Sequence, residues 1–428
     1  MASVLRFDRL SCGIPTCIQT SVESKLISIS LWINAGSARD PVDKEGLAHL
    51  CEHLLLRPLG QSNSPAARIQ LRTGALVNAC TDPEWVVISA QAPFDQAQSL
   101  IDLVSSLVCD PCFEPCDVEA EKETILQEFR QADLSSAERL ASIFRKSAFA
   151  DDPRVQPVGG TPSTLSAIKL SDVQAYYSRF LNASKTLITA HGDIAISELT
   201  AMLDEAFQAF PQTAASPPDS TNIESDVVTR SAPTYRPIRI HKRTSDSGSA
   251  SGCGILAGFG SVARTTEEYW TALAFEVFMA DGAGSLLTRW LRDERHWMYG
   301  AVSMTEAFSN WGNQYFLLRI PHHYTDEALN YLGQQWRMLP EFVTDERVEA
   351  LGNRLASRAL SSLAGLQDRM TLMRDTVLAE NGQTGTQEGS LEAIVTSHAR
   401  QLSSGKLLSY IRQYAEWDRV SLVCAPVH

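Results

Sequence analysis

The sequence contains no uninterrupted run of 18 apolar residues, so it predicts no membrane-spanning helix. It is also poor in basic residues, because 37 Lys and Arg stand against 50 Asp and Glu and give a net charge of −13. Binding to nucleic acid relies on positive charge, so this balance argues against a nucleic-acid partner. The N-terminus lacks a basic region followed by an apolar stretch, and we therefore expect no secretory signal and a cytoplasmic location.

The nine cysteines cannot all pair within the chain, because their number is odd. Thiols stay reduced in the cytosol, which agrees with the expected location. Three of the cysteines, Cys109, Cys112 and Cys116, lie close together in sequence. No further Cys or His lies nearby to complete a closed tetrahedral zinc site, so we do not assign a metal to this cluster.

A five-residue motif runs from His49 to His53, inside the segment GLAHLCEHLLL. On a helix, residues four apart lie on the same face, so both imidazoles can bind one zinc ion. Glu52 lies beside them, placed to take a proton from the attacking water. Cys51 is about 200° around the helix axis from His49 and is excluded as a ligand. The order His-x-x-Glu-His is the inverzincin signature.

The alternative for this motif is a buried helix with two hydrogen-bonded histidines, and a third ligand would decide between the two readings. Glu121 and Glu128 are seven residues apart, two helical turns, and therefore share a helix face. Glu128 follows His53 by 75 residues. With this spacing the chain resembles the M16 (pitrilysin or insulinase-like) metallopeptidases. The resemblance implies that Glu128 is the third ligand of one zinc ion per chain, and that Glu121 orients a metal-binding histidine.

The segment from Gly74 to Thr81 also resembles this family, whose strand pattern is G-x-x-x-N-A-x-T. In the family that strand lies at the edge of a sheet near the zinc and pairs with the backbone of the substrate. The resemblance therefore implies that Asn78, Ala79 and Thr81 bind a peptide substrate. Further similar segments are Pro157–Gly160, Leu170–Asp172, Tyr176–Tyr177 and Leu187–Asp193.

The chain divides into two halves that resemble diverged copies of one unit. A stretch rich in Ser, Thr, Pro and Asp predicts a linker at 212–234, between an N-terminal domain at 1–211 and a C-terminal domain at 235–428. At an offset of 224 residues, Glu52 aligns with Glu276, whereas His49 and His53 align with Leu273 and Val277. We therefore expect a metal-free second domain.

Alternating and helical patterns within the first half predict its main elements. They indicate a strand at Lys25–Asn34 and helices at Lys44–Leu56, Phe94–Val108 and Val118–Ser135. The expected fold is α+β, with two similar domains that each pack helices on one face of an antiparallel sheet.

The second half carries a glycine-rich segment, Gly282–Leu286, followed by Arg292 and Tyr299. This resembles the family's C-terminal element, in which an arginine and a tyrosine seven residues apart help to hold the substrate carbonyl. The pair could stabilise an oxyanion. In this chain His296-Trp297-Met298 replaces the small, flexible run that usually precedes the tyrosine.

The resemblance implies a zinc-dependent metalloendopeptidase that cleaves peptides bound as an added strand. Family members enclose substrate in a chamber of four such domains, so a chain with two implies a dimer. The alternatives are a leader-peptide or precursor-processing protease that pairs with a zinc-free homologue, and a non-catalytic scaffold subunit. Scaffold subunits typically lose the histidines or the glutamate, which this chain keeps.

Overall fold

The structure of the chain is a computed structural model, which describes residues 5–22, 24–109, 111, 113–131, 136–150, 152–211, 232–241, 252–379, 385–387 and 390–427. Most of the predicted linker at 212–234 and Cys112 lie outside these residues. None of the described helices combines the length and apolar character that a bilayer crossing requires.

The described residues form twelve strands and fourteen α-helices. The strands are β1 (Leu5–Arg9), β2 (Pro15–Thr20), β3 (Leu26–Ile33), β4 (Leu76–Thr81), β5 (Val86–Pro93), β6 (Thr186–Gly192), β7 (Arg239–His241), β8 (Gly252–Ser261), β9 (Val302–Ala307), β10 (Gly312–Ile320), β11 (Gly385–Gln387) and β12 (Ser421–Val427). The helices are α1 (Leu47–Gly60), α2 (Pro65–Thr73), α3 (Ala97–Val108), α4 (Pro115–Gln131), α5 (Ser136–Ala148), α6 (Pro162–Ala167), α7 (Leu170–Phe180), α8 (Ile196–Ala206), α9 (Glu268–Ala280), α10 (Thr325–Arg337), α11 (Asp345–Ser362), α12 (Leu366–Ala379), α13 (Leu391–Arg400) and α14 (Ser404–Tyr414). A π-helical turn runs over Thr288–Asp293.

The chain forms two compact units, each built around one sheet. The first unit comprises 1–132, 156–227 and 362–394, and the second comprises 133–155, 228–361 and 395–428. The first sheet has the strand order β11-β1-β2-β6-β3-β5-β4, and the second has the order β7-β12-β8-β10-β9. The expected α+β fold with two sheets is confirmed. Two strand pairs, β2 with β6 and β7 with β12, are parallel, so the sheets are not purely antiparallel as expected.

One face of each sheet carries the main apolar core. In the first unit, Ile29, Leu31 and Ile33 of β3 pack with Leu50 of α1 and Leu103 of α3. In the second unit the core joins side chains of β8 and β10 to those of α9, α10 and α14. Alternation along each strand explains this, because every second side chain points to the same face.

The other face of each sheet is also covered, so the expectation of helices on one face only was incomplete. In the first unit α12, from the second half of the chain, contacts β2, β3 and β6. Its Arg374 side chain is buried over the ring of Trp32, 4.5 Å from the centroid. In the second unit α5, from the first half of the chain, contacts β8 and β12. The helices α5 and α12 are thus exchanged between the two halves of the sequence.

The predicted elements of the first half are present with shifted ends. β3 and α3 lie within the predicted segments, and α4 begins three residues before the predicted Val118. The predicted helix at Lys44–Leu56 begins later, at Leu47, because Gly46 has φ 100° and lies in the left-handed region. It continues to Gly60 with Pro58 in its last turn.

Candidate metal centre

Helix α1 carries the His-x-x-Glu-His motif and starts without a side-chain cap from Gly46. Asp40 takes over this role, because its carboxylate accepts hydrogen bonds from the N–H groups of Gly46 (2.7 Å) and Ala48 (2.9 Å). Leu47, Leu50 and other apolar side chains of the helix are buried in the core. The helix is therefore held at its start and along one side, with the histidines on another side.

The structure brings His49, His53 and Glu128 together. Their ligand atoms all lie within 4.8 Å of one another. Nε2 of His49 lies 3.3 Å from Nε2 of His53, and these atoms lie 3.8 and 3.5 Å from the two carboxylate oxygens of Glu128. Glu128 comes from α4, the helix that packs against α1. The carboxylate of Glu128 therefore lies beside the two histidines of the motif, where the resemblance implied it would be.

The three residues fit a zinc ion. Two nitrogen ligands about 2.0–2.1 Å from a tetrahedral zinc lie roughly 3.3–3.4 Å apart, and the two Nε2 atoms are 3.3 Å apart. Burial, together with His53, lowers the pKa of His49 to about 4, so its imidazole is neutral and has a lone pair at pH 7. Three protein ligands of nitrogen and oxygen type would leave a fourth tetrahedral position open, as in catalytic rather than structural zinc sites.

Glu52 lies next to these three residues and outside the group that could hold a metal ion. Its side chain is buried, and Oε2 accepts a hydrogen bond from the hydroxyl of Thr81 at 2.6 Å. Burial raises the pKa of Glu52, and the hydrogen bond from Thr81 opposes that shift. The bond also joins α1 to β4, the strand predicted to bind substrate.

Strand β4 lies at the edge of the first sheet and pairs only with β5 among the described strands. Asn78 is exposed, whereas Ala79 and Thr81 are half-buried. The free edge carries unpaired main-chain groups that can pair with an added strand. The edge position predicted for Asn78, Ala79 and Thr81 is therefore observed.

Glu121 lies beside His53, as predicted. Its Oε2 is 3.3 Å from Nδ1 of His53, the ring nitrogen that faces away from His49. Its Oε1 accepts a hydrogen bond from Arg57, which also donates to Asp117, both at 2.7 Å. Arg57 and Asp117 were missed at the level of sequence, although both follow the helical spacing of four residues from His53 and Glu121.

Gly159 lies against the ring of His49. A Cβ atom at this position would stand 3.3 Å from Nδ1 of His49 and 2.8 Å from Cε1 of Phe129. The next residue, Gly160, has φ 72° and leaves no room for a Cβ atom against the carbonyl oxygen of Glu45. The resemblance at Pro157–Gly160 thus corresponds to a loop that crosses the start of α1 in direct backbone contact.

Arg292 and Tyr299 lie in the second unit. Arg292 is in the π-helical turn and forms an ion pair with Asp293, Nε to Oδ1, at 2.9 Å. His296 then adopts φ 59° and closes the turn, because its N–H donates to the carbonyl of Arg292. Tyr299 is 93% exposed, and no described residue forms a hydrogen bond with it.

The second unit repeats part of the site without its histidines. The side chain of Glu276 is buried and accepts a hydrogen bond from Thr305 at 2.6 Å. The equivalents of the histidines, Leu273 and Val277, pack in the apolar core. Arg358 of α11 forms an ion pair with Glu276 at 2.7 Å. A guanidinium therefore neutralises this carboxylate in the unit that lacks metal ligands.

Two family models match adjoining stretches of the chain. The model described as insulinase (peptidase family M16) matches residues 17–161, and the model described as peptidase M16 inactive domain matches residues 167–355. The chain belongs to the M16 peptidase family. The resemblance found in the sequence is thereby confirmed, and the second match agrees with the loss of histidines in the second half.

Several M16 relatives are similar over most of the chain. The mitochondrial-processing peptidase subunit beta of Lentinula edodes is 20% identical over 83% of this chain and 77% of that protein. An uncharacterized zinc protease of Mycobacterium leprae is 23% identical over 67% of this chain and 62% of that protein, so the match spans less than two thirds of its length. Zinc and peptidase activity are thus named among relatives of this chain.

Solved structures of other proteins share the fold. A protease from Helicobacter pylori superposes with a TM-score of 0.80 at 16% identity, over 98% of each chain. A peptidase M16 inactive domain from Pseudomonas fluorescens superposes with a TM-score of 0.81 at 16% identity, over 99% of this chain and 98% of that one. The fold of two α+β units is therefore shared with these solved structures.

Proposed function

We propose that this protein is a zinc-dependent metalloendopeptidase with one zinc ion per chain. The observation that carries the proposal is the convergence of His49, His53 and Glu128, with the buried carboxylate of Glu52 beside them and outside the ligand set. If these residues only stabilised the fold, there would be no reason for two histidine nitrogens to lie 3.3 Å apart with a carboxylate at 3.5–3.8 Å. There would also be no reason for a separate buried acid beside them.

Zinc, when bound, supplies the Lewis acidity that activates water and polarises a carbonyl at this site. His49, His53 and Glu128 would hold it, and Glu121 orients the ring of His53 through Nδ1. Glu52 accepts a proton from the attacking water and delivers it to the leaving amine. Because burial raises the pKa of Glu52, this carboxylate is a better proton acceptor than an exposed one.

The proposed substrate is a peptide or an unfolded segment, bound as an added strand on the free edge of β4. The hydroxyl of Thr81 at the end of this strand bonds to Glu52, so a peptide on this edge passes beside the proposed base. Main-chain hydrogen bonds would give affinity with little demand on the side chains of the substrate. Asn78 and Ala79 are the other proposed contacts.

Arg292 and Tyr299 are proposed to stabilise the oxyanion, in their own active site or in that of a partner. The assembly is proposed to be a dimer, either of two copies or with a homologous M16 chain, that encloses the peptide in a chamber. Support comes from the family, whose chambers have four domains, and from the two units of this chain.

A second candidate is a processing peptidase that works as a heterodimer with a metal-free homologue. The similarity to a mitochondrial-processing peptidase subunit beta over 83% of the chain favours it. The scaffold alternative is disfavoured, because the chain keeps three candidate ligands and Glu52.

The test combines metal analysis with peptide cleavage. Wild-type protein should contain one zinc per chain and cleave a peptide mixture, as followed by mass spectrometry, and a chelator should abolish the cleavage. Glu52→Gln should keep zinc but lose activity by ~10²–10⁴-fold or more. Glu128→Gln should lose zinc affinity. Near-normal turnover by Glu52→Gln, or full zinc affinity in Glu128→Gln, would contradict these assignments.

Cleavage that appears only after a homologous M16 chain is added would favour the processing heterodimer. Light scattering decides the assembly, since a monomer with full activity would exclude the dimeric chamber.

A further inference from the structure

Helices α1 and α4 face each other with a regular pairing of side chains. Along α1, His53 and Arg57 are one turn apart, and along α4, Asp117 and Glu121 are one turn apart. His53 contacts Glu121, and Arg57 contacts both Glu121 and Asp117. Residue numbers rise along α1 as they fall along α4, so the two helices run antiparallel at this contact.

Arg57 holds Glu121 in a defined orientation. Its Nη1 donates to Oε1 of Glu121 and its Nε donates to Oδ1 of Asp117, both at 2.7 Å. A guanidinium presents these donors in a rigid plane, so the two bonds fix its position. The second oxygen of Glu121 is then left to face Nδ1 of His53 at 3.3 Å. Without Arg57, the Glu121 side chain could rotate about its own bonds.

We propose that Arg57 is a positioning residue for the metal centre, and that it acts on His53 through Glu121. This inference rests on the proposed zinc site, because it concerns the ring of one of the candidate ligands. Arg57 also lines a cavity of about 410 Å³ together with Glu52, His53 and Glu121. It therefore stands within the site rather than on a remote surface.

The direction in which the Zn²⁺ affinity changes when Arg57 is removed distinguishes a positioning role from a purely electrostatic one. Arg57 is a cation in ion-pair contact with Asp117 and Glu121, and the site also contains the carboxylates of Glu52 and Glu128. If it acted only through its charge, its removal would leave the site more negative and would tighten binding of Zn²⁺. If it orients His53 through Glu121, its removal weakens binding, by about 10- to 100-fold for the partner of a metal-ligating histidine.

The experiment measures the dissociation constant of Zn²⁺ in the full-length protein by competition with a chromophoric chelator. The variants are Arg57→Ala, Arg57→Lys, Glu121→Gln and the double variant Arg57→Ala with Glu121→Gln. Arg289→Ala is the matched control, because Arg289 forms an exposed ion pair with Glu294 in the second unit. Absorption spectra of the Co²⁺-loaded proteins give a second readout that reports the ligand geometry.

We expect Arg57→Ala to raise the Zn²⁺ dissociation constant by about 10- to 100-fold and to change the Co²⁺ spectrum. Arg57→Lys should restore the affinity in part, since an ammonium keeps the charge but not the planar fork. The double variant should bind Zn²⁺ as Glu121→Gln does, because Arg57 acts through that residue. Arg289→Ala should bind like wild type.

Unchanged or tighter binding in Arg57→Ala would overturn the proposal, and so would fully additive effects in the double variant. If Arg57→Ala does not fold, the comparison of Arg57→Lys with Glu121→Gln gives the same decision. A wild-type protein that does not bind Zn²⁺ would overturn the proposed function itself. If the wild type binds Zn²⁺ and Arg57→Ala binds it with the same affinity, only the role of Arg57 is overturned.

Discussion

The hydroxyl of Thr81 donates a 2.6 Å hydrogen bond to the carboxylate of Glu52, which lies 29 residues before it in the chain. The second unit contains the same bond at the same distance and separation, between Thr305 and Glu276. The duplicated fold has therefore kept a link between its first long helix and the sheet edge. In the first unit a candidate metal site lies beside this hydrogen bond, whereas in the second unit the side chain of Arg358 lies beside it.

Thr81→Val should slow cleavage without removing zinc, because it breaks the hydrogen bond that fixes Glu52. Loss of a hydrogen bond to a charged group costs about 1.5–3 kcal/mol, so kcat should fall roughly 10- to 100-fold. Thr81→Ser keeps the hydroxyl and should restore most of the rate. Steady-state kinetics on one peptide would check this, and a change in KM alone would place Thr81 only at the substrate.

Gly159→Ala should weaken zinc binding, because the added methyl group would press on Phe129 and on the ring of His49. We expect a loss of roughly tenfold in affinity, as for other changes that displace a ligand ring. Gly284→Ala is the control, since nothing lies within 4 Å of its added Cβ atom. Chelator competition would measure both. Equal Zn²⁺ affinities of the two variants would show that the loop at Gly159 shifts to accommodate the methyl group.

Arg358→Ala should destabilise the protein by about 1–3 kcal/mol, because it leaves the buried carboxylate of Glu276 without its cation. Adding Glu276→Gln should recover part of this loss, since the amide carries no charge. Urea unfolding of the two variants would measure the difference. Zinc content should be unchanged in both, and a loss of zinc from Arg358→Ala would conflict with a purely structural role in the second unit.

The protein should lose stability as the pH falls below about 6.5, partly through His191 on β6. Burial and the nearby Arg369 lower the pKa of His191 to about 4, whereas an unfolded chain protonates its histidines near 6.5. Stability from this group is therefore complete above pH 6.5 and is lost as the pH falls toward 4. Between pH 7 and pH 5 the loss should be about 2 kcal/mol.

Urea unfolding at the two pH values would measure this loss in wild type and in His191→Gln. The variant should show a smaller difference between pH 7 and pH 5. Identical differences in the two proteins would remove His191 from the acid sensitivity.

Tyr299→Phe should reduce kcat without affecting the fold, because the side chain is 93% exposed and only its hydroxyl is removed. If the phenol stabilises the oxyanion, the barrier should rise by roughly 2.7–4 kcal/mol. Tyr331→Phe in the same unit is the control, since its hydroxyl donates to Glu294 instead. A kcat of Tyr299→Phe equal to that of the wild type would show that this hydroxyl of the second unit does not stabilise the oxyanion.

Much of the candidate site follows from local periodicity. The positions of His49 and His53 follow from helical spacing, and Glu121 and Glu128 share a face for the same reason. Family spacing then brings Glu128 to the histidines. Sequence periodicity does not predict which separate segments of the chain come into contact. The cap from Asp40, the contact of Gly159 with His49 and the ion pair of Arg57 with Asp117 all depend on tertiary packing.

The same limit applies to the fold. The duplication was visible because Glu276 follows Glu52 at an offset of 224 residues, at which both histidines align with apolar residues. The position of α5 and α12 was not, because an amphipathic helix can cover any apolar sheet face of suitable shape.

The exchange of α5 and α12 has a consequence for the integrity of the chain. A protease that cut once between residues 212 and 231 would separate the two sequence halves covalently, but each compact unit would still contain a helix from the other fragment. The fragments should therefore stay associated until denaturant is added. Either half produced alone would expose the sheet face that its missing helix covers, and would be prone to aggregate. We therefore expect the two halves to depend on each other for folding, although among the described residues the candidate metal site lies in the first half alone.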